Sequence, residues 1–144
     1  MKKKTGFTLV ELLAVIVILA IILVIAVPQI MDTIDSARKA SLESSVKMVA
    51  AQAENQYAVA QTLDNIGTTE GKFNPGTESA KATCGKWAGI DTNGADYESC
   101  EYYINTTTGT ATVVIKGKAN GKFSKYTSTG CSGTRTTVTC TPDS

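Results

Sequence analysis

The sequence predicts an α+β fold: one long N-terminal helix, half membrane-type and half amphipathic, packed on a C-terminal antiparallel β-sheet of about four strands. Three observations predict it. An apolar run from Leu12 to Val27 is followed by apolar residues at helical spacing as far as Ala60. From residue 99 onward, short runs rich in threonine, valine, isoleucine and tyrosine alternate with glycine turns. All four cysteines fall after the helix.

The helix comes first. A bilayer core of roughly 30 Å needs about 20 apolar residues at about 1.5 Å each. The stretch from Phe7 to Val27 supplies that length with one ionisable group, Glu11. An acid at the centre of a membrane span costs on the order of 2.5–3.5 kcal/mol even on the gentler insertion scales, so Glu11 asks for a partner. Lys2, Lys3 and Lys4 precede it and should stay cytoplasmic under the positive-inside rule. The chain beyond Val27 then lies outside, where disulfides form. An ordinary secretory signal peptide also has a basic start and an apolar core, and Val24-Ile25-Ala26 would pass as its cleavage site. Against that reading, Glu11 interrupts the core early and the helical pattern runs straight through the cut.

Pro28 removes one backbone donor and crowds the Val24 carbonyl, so a kink is expected there. After it the pattern turns amphipathic: Ile30, Ile34, Ala37, Leu42, Val46, Val49, Ala53, Tyr57 and Ala60 form one stripe. A stripe implies something laid along it, and the C-terminal region is the candidate within the chain. Residues 65–93 read as a loop broken by Gly67, Gly71, Pro75, Gly76, Gly85 and Gly89, with Leu63, Phe73, Trp87 and Ile90 as its anchors. Strands are expected at 99–105, 110–116, 122–127 and 135–141. Gly109, Asn120-Gly121 and the segment 130–133 mark the turns. The predicted arrangement is a meander with one face on the helix and one face wet.

The formal net charge is +1, and no histidine is present, which removes the commonest general base and metal ligand. Such a balance carries no general nucleic-acid footprint. Cys84, Cys100, Cys131 and Cys140 read as two disulfides of an exported domain. Four cysteines allow three pairings; the local one, Cys84–Cys100 with Cys131–Cys140, is the first choice. A four-cysteine zinc site is disfavoured because no two cysteines are closely spaced.

Asp91, Asn93, Asp96 and Glu98 put hard oxygen atoms around Gly94, a candidate calcium loop, although turn chemistry explains the same residues. Lys116, Lys118, Lys122, Lys125 and Arg135 occupy a stretch without an acid, while 64–101 carries seven acids and three lysines. A basic outer face meeting an acidic face of the next subunit, or an anionic partner such as DNA, is one reading; a solvated strand face is the other. Asn105-Thr106-Thr107 fits a glycosylation acceptor pattern. Nothing resembles a Walker loop, a catalytic triad or a paired-carboxylate site, so no enzymatic activity is expected.

Lys4-Thr5-Gly6-Phe7-Thr8-Leu9-Val10-Glu11-Leu12 followed by an apolar helix resembles the N-terminal motif of type IV pilins, type II secretion pseudopilins and competence pilins. The resemblance covers roughly the first third of the chain. It implies a leader over 1–6, a membrane and assembly half of the helix over 7–28, an amphipathic half over 29–62, and a β-rich head with its linking loop over 63–144. It further implies cleavage between Gly6 and Phe7 by a prepilin peptidase, N-methylation of Phe7, and pairing of Glu11 with the N-terminal amine of a neighbouring subunit. Pro28 matches the helix-kinking proline of the family. Ala20 departs from the pattern, since many members carry glycine there and alanine is a strong helix former. Cys131–Cys140 would resemble the disulfide-closed C-terminal loop of many pilins.

The function implied is that of a structural subunit of a pilus-like filament, of the kind used in adhesion and twitching motility. The alternatives are a secretion pseudopilin or a competence pilin for DNA uptake. The implied partners are further copies of the chain, the peptidase, an assembly platform with its ATPase, and the cytoplasmic membrane before assembly. A DNA or surface ligand would come afterwards. No cofactor is implied, calcium being the one candidate.

Overall fold

The computed structural model describes residues 6–143; Lys2, Lys3 and Lys4, and with them most of the expected leader, lie outside the described residues. The chain divides into two compact units, Met1–Ala37 and Arg38–Ser144. One helix, α1 (Leu9–Thr62), contributes to both.

In the first unit α1 is apolar on every side. Each large apolar side chain from Phe7 to Val27 is at least 50% exposed. The helix continues through Ala20 and past Pro28 without interruption. Its stretch here is long and apolar enough to cross a membrane. The expected stripe does not begin in this unit: Ile30, Ile34 and Ala37 are exposed, because its described residues hold no second element to cover them.

In the second unit the stripe is real. Leu42, Val46, Val49, Ala50, Ala53, Tyr57 and Ala60 are buried at spacings that keep to one face of a 3.6-residue helix. They pack on a five-stranded antiparallel meander in the order β1-β2-β3-β4-β5. Its strands are β1 (Ala82–Thr83), β2 (Tyr97–Ile104), β3 (Ala111–Gly117), β4 (Cys131–Gly133) and β5 (Val138–Cys140). The central hairpin carries the period of two that sequence alternation predicts. Its inward side chains oppose one another in register: Cys100 with Ile115, Tyr102 with Val113, Ile104 with Ala111. Asn105 closes the hairpin by accepting the N–H groups of Thr107 and Thr108 on its Oδ1, while Gly109 takes the left-handed conformation at φ 70°. The glycosylation pattern thus sits on a tight Asx turn.

Three further sequence expectations need correction. Residues 122–127 form turns, not a strand. Phe123 and Tyr126 are both buried, and side chains three apart on a strand would point to opposite faces. The segment 131–133, read as a turn, is β4; Gly130 makes the turn before it at φ 70°. Leu63 is 69% exposed and anchors nothing; Ile66 takes that role, bridging to Phe73. With Trp87 and Ile90 these residues hold the long loop on the core. The Trp87 ring meets Tyr102 edge-on at 5.2 Å. The Tyr102 hydroxyl donates to the Asn74 carbonyl at 2.7 Å.

Candidate assembly site

The N-terminal site is built by a helix start. Gly6 precedes α1, and a side chain placed there would meet nothing within 4 Å. Phe7 is 85% exposed. Thr8 and Glu11 then form a reciprocal cap. The Glu11 carboxylate accepts the Thr8 backbone N–H and the Thr8 hydroxyl, each at 2.8 Å, and the Glu11 N–H donates to Thr8 Oγ1 at 3.3 Å. This is a capping box, in which two otherwise orphaned helix-end donors are satisfied by side chains three residues apart. The sequence carries its signal, Thr8-Leu9-Val10-Glu11 ahead of an apolar run, and reading Glu11 only as an acid awaiting a partner missed it. Glu11 has a partner in the isolated chain already. What Thr8 cannot supply is an opposite charge.

The remaining predicted residues lie in the second unit. Cys84 is joined to Cys100 and Cys131 to Cys140, with Cα separations of 5.4 and 4.1 Å. Both bridges span neighbouring strands or their ends at the outer edges of the sheet. Cys131 and Cys140 face each other across β4 and β5, and the Cys84 N–H donates to the Cys100 carbonyl just past β1. Edge strands of two and three residues have few ladder bonds of their own, so each bridge holds a strand that pairing alone leaves marginal.

The acidic loop residues are directed to separate bonds. Asp91 Oδ1 accepts the Asn93 N–H at 3.0 Å, and Asp96 Oδ1 accepts the Lys122 N–H at 3.1 Å. Glu98 sits where the β2–β3 register slips between Tyr97 and Ser99. Among the described residues no three acidic, cysteine or histidine side chains come together as a metal cluster.

The five basic residues are likewise dispersed. Lys116 lies on the sheet face away from the core. Lys118 Nζ donates to the carbonyls of Thr92 and Gly94. Lys122 Nζ stands 5.3 Å from the centre of the Phe123 ring. The Lys125 carbonyl accepts the Asp143 N–H. Arg135 reaches Glu54 on α1 at 3.6 Å, and the other oxygen of that carboxylate accepts the Ala111 N–H at 3.2 Å. Lys118, Lys122 and Arg135 are therefore engaged within the head.

Comparison of the chain with curated proteins finds no match, and comparison with solved structures finds none either. A family described as the prokaryotic N-terminal methylation motif matches residues 1–27, ending one residue before Pro28. That motif implies processing by a prepilin peptidase and assembly into a pilus-like polymer. It marks structural subunits rather than an enzyme family, and with the exposed apolar helix it fits a membrane-anchored precursor. The capped acid, the glycine before the helix and the matched motif coincide in one short segment, and the chain accordingly carries the leader signature of type IV pilins and pseudopilins.

Proposed function

We propose that the protein is a structural subunit of a type IV pilus-like extracellular filament. The leader is cut between Gly6 and Phe7, the new amine on Phe7 is methylated, and Glu11 attracts that ammonium on the neighbouring copy. The observation that carries this reading is the coexistence, within residues 7–27, of an apolar surface exposed on every side and a single carboxylate, Glu11, the fifth residue after the cleavage point.

Physical chemistry divides the work. Lipid tails are as apolar as leucine, so leaving the bilayer for a helix bundle gains little hydrophobic energy; packing and polar pairs decide the geometry. Energy for extraction comes from the assembly ATPase, a separate protein acting through its platform. Two opposite charges in a low-dielectric bundle attract strongly, and a pair that works only at one axial offset sets register. The bonds from Thr8 keep the Glu11 carboxylate satisfied until the ammonium arrives.

Glu11→Ala should be produced and cleaved normally yet yield few filaments. The check is electron microscopy of sheared surface material, with mass spectrometry of its subunits for a chain beginning at Phe7. Wild-type filament abundance from Glu11→Ala would reject the mechanism. Loss of DNA uptake or of cargo secretion on deletion, with surface filaments intact, would place the subunit in a competence or secretion apparatus.

A further inference from the structure

The loop from Asp91 to Asp96 has the oxygen-rich composition of a calcium loop but a different occupant. Lys118 leaves β3 just after Gly117 and turns its side chain onto this loop. Its Nζ donates to the Gly94 carbonyl at 2.9 Å and more distantly to the Thr92 carbonyl at 3.4 Å. Its own N–H donates to the Asp96 carbonyl at 3.0 Å. The neighbouring turn completes the dock: the Lys122 N–H binds Asp96 Oδ1, and Gly121 lies so close that a Cβ there would fall 2.3 Å from the Ala95 carbonyl oxygen.

The residues do not fit calcium. That ion takes six to eight oxygens at about 2.3–2.6 Å. Here Asp91 and Asp96 already accept backbone N–H groups, and the two inward carbonyls face an ammonium, whose charge would repel a divalent ion beside it. An ammonium offers three donors and a single positive charge, which suits two carbonyls at hydrogen-bond distance.

We infer that the Lys118 ammonium is the resident cation of the 91–96 loop, a positioning residue that holds this loop on the β3–β4 turn without any metal ion. Lys118 is thereby withdrawn from the basic surface and becomes part of the head's internal structure. The inference concerns the head alone and stands whether or not the chain forms filaments.

The test is amide hydrogen exchange on the full chain in detergent, with calcium or with chelator. In the wild type, exchange at 91–96 should be the same in both conditions. Lys118→Met keeps the aliphatic stem and removes the donors; exchange at Gly94 and its neighbours should rise about tenfold or more, with β2 and β3 unchanged. Lys118→Arg, which keeps charge and donors, should recover most of the protection. Calcium-dependent protection in the wild type would overturn the inference. So would unchanged exchange in Lys118→Met, or an arginine variant no better protected than the methionine one.

Discussion

The two halves of α1 use similar residues and meet opposite fates. Leu23 in the first unit is 59% exposed, while Leu42 in the second is fully buried. Valine behaves the same way, with Val24 75% exposed and Val46 and Val49 buried. Helix propensity does not distinguish them, because both halves are helical. The difference lies in what surrounds each half. In the second unit the sheet takes up one face and the other is mostly polar, with Met48 and Val59 as exposed apolar exceptions. Among the described residues of the first unit no face is covered and almost none is polar, the pattern of a membrane or bundle-core helix.

The sharpest attack on this contrast is a matched truncation. Leu42→Ala should lower the stability of the head by about 2–5 kcal/mol, as expected for a buried leucine. Leu23→Ala should leave it unchanged within about 0.5 kcal/mol. Chemical denaturation of each full-length variant in detergent, followed through the fluorescence of Trp87, checks both. An equal loss from the two would mean that the apolar half supports the head.

The disulfides come next. Replacing Cys84 and Cys100 by serine should cost about 2–4 kcal/mol and free β1. The same change at Cys131 and Cys140 should cost about 0.5 kcal/mol less on loop-closure grounds, the sequence separations being 16 and 9. The same denaturation measurement ranks them, and a loss confined to one pair would show that a single edge of the sheet limits stability.

A smaller effect is pH-dependent. Burial pushes the Tyr102 hydroxyl up to about 12. The neutral form is thus favoured in the fold, so its contribution is complete below the ordinary tyrosine value near 10 and is lost as pH rises towards 12. Denaturation midpoints should fall across that window, and Tyr102→Phe should flatten the fall. An unaltered alkaline limb in that variant would assign the loss to another group.

The smallest expected effect is local. The Thr127 hydroxyl, then the Thr127 N–H, with Ser128 adding to them, hold the Asp143 carboxyl well below the usual carboxylate range. A depressed value means that this tether is present at neutral pH and released only under strongly acidic conditions. Asp143→Asn should accelerate amide exchange at Thr127 and Ser128 at neutral pH, leaving β2 and β3 as they were. No change at those two amides would show that the C-terminal residues are held by other bonds.

Legibility in the sequence followed the range of the interaction. The limits of α1, the central hairpin and the turn at Gly109 depend on neighbours a few residues apart, and the sequence reading placed them within two residues. The Thr8–Glu11 box is equally local and was legible in principle. The segment 122–127 failed because its aromatic residues were read with a period of two when burial required three. Strand β4 has only Cys131, Ser132 and Gly133 to announce it, and it exists because β3 and β5 offer it ladders on both sides.

The sequence by itself therefore determined the long helix, its division into an all-round apolar half and a one-faced half, and the leader signature with its single acid, since each is a matter of composition and spacing along the chain. Only the tertiary structure decided where burial begins, at Leu42, which cysteines meet, and which cations are engaged within the head. Those outcomes depend on groups far apart in sequence reaching one another. Lys118 and Gly94 are the clearest case: neither residue signals the other along the chain, and the fold brings the ammonium to the carbonyl.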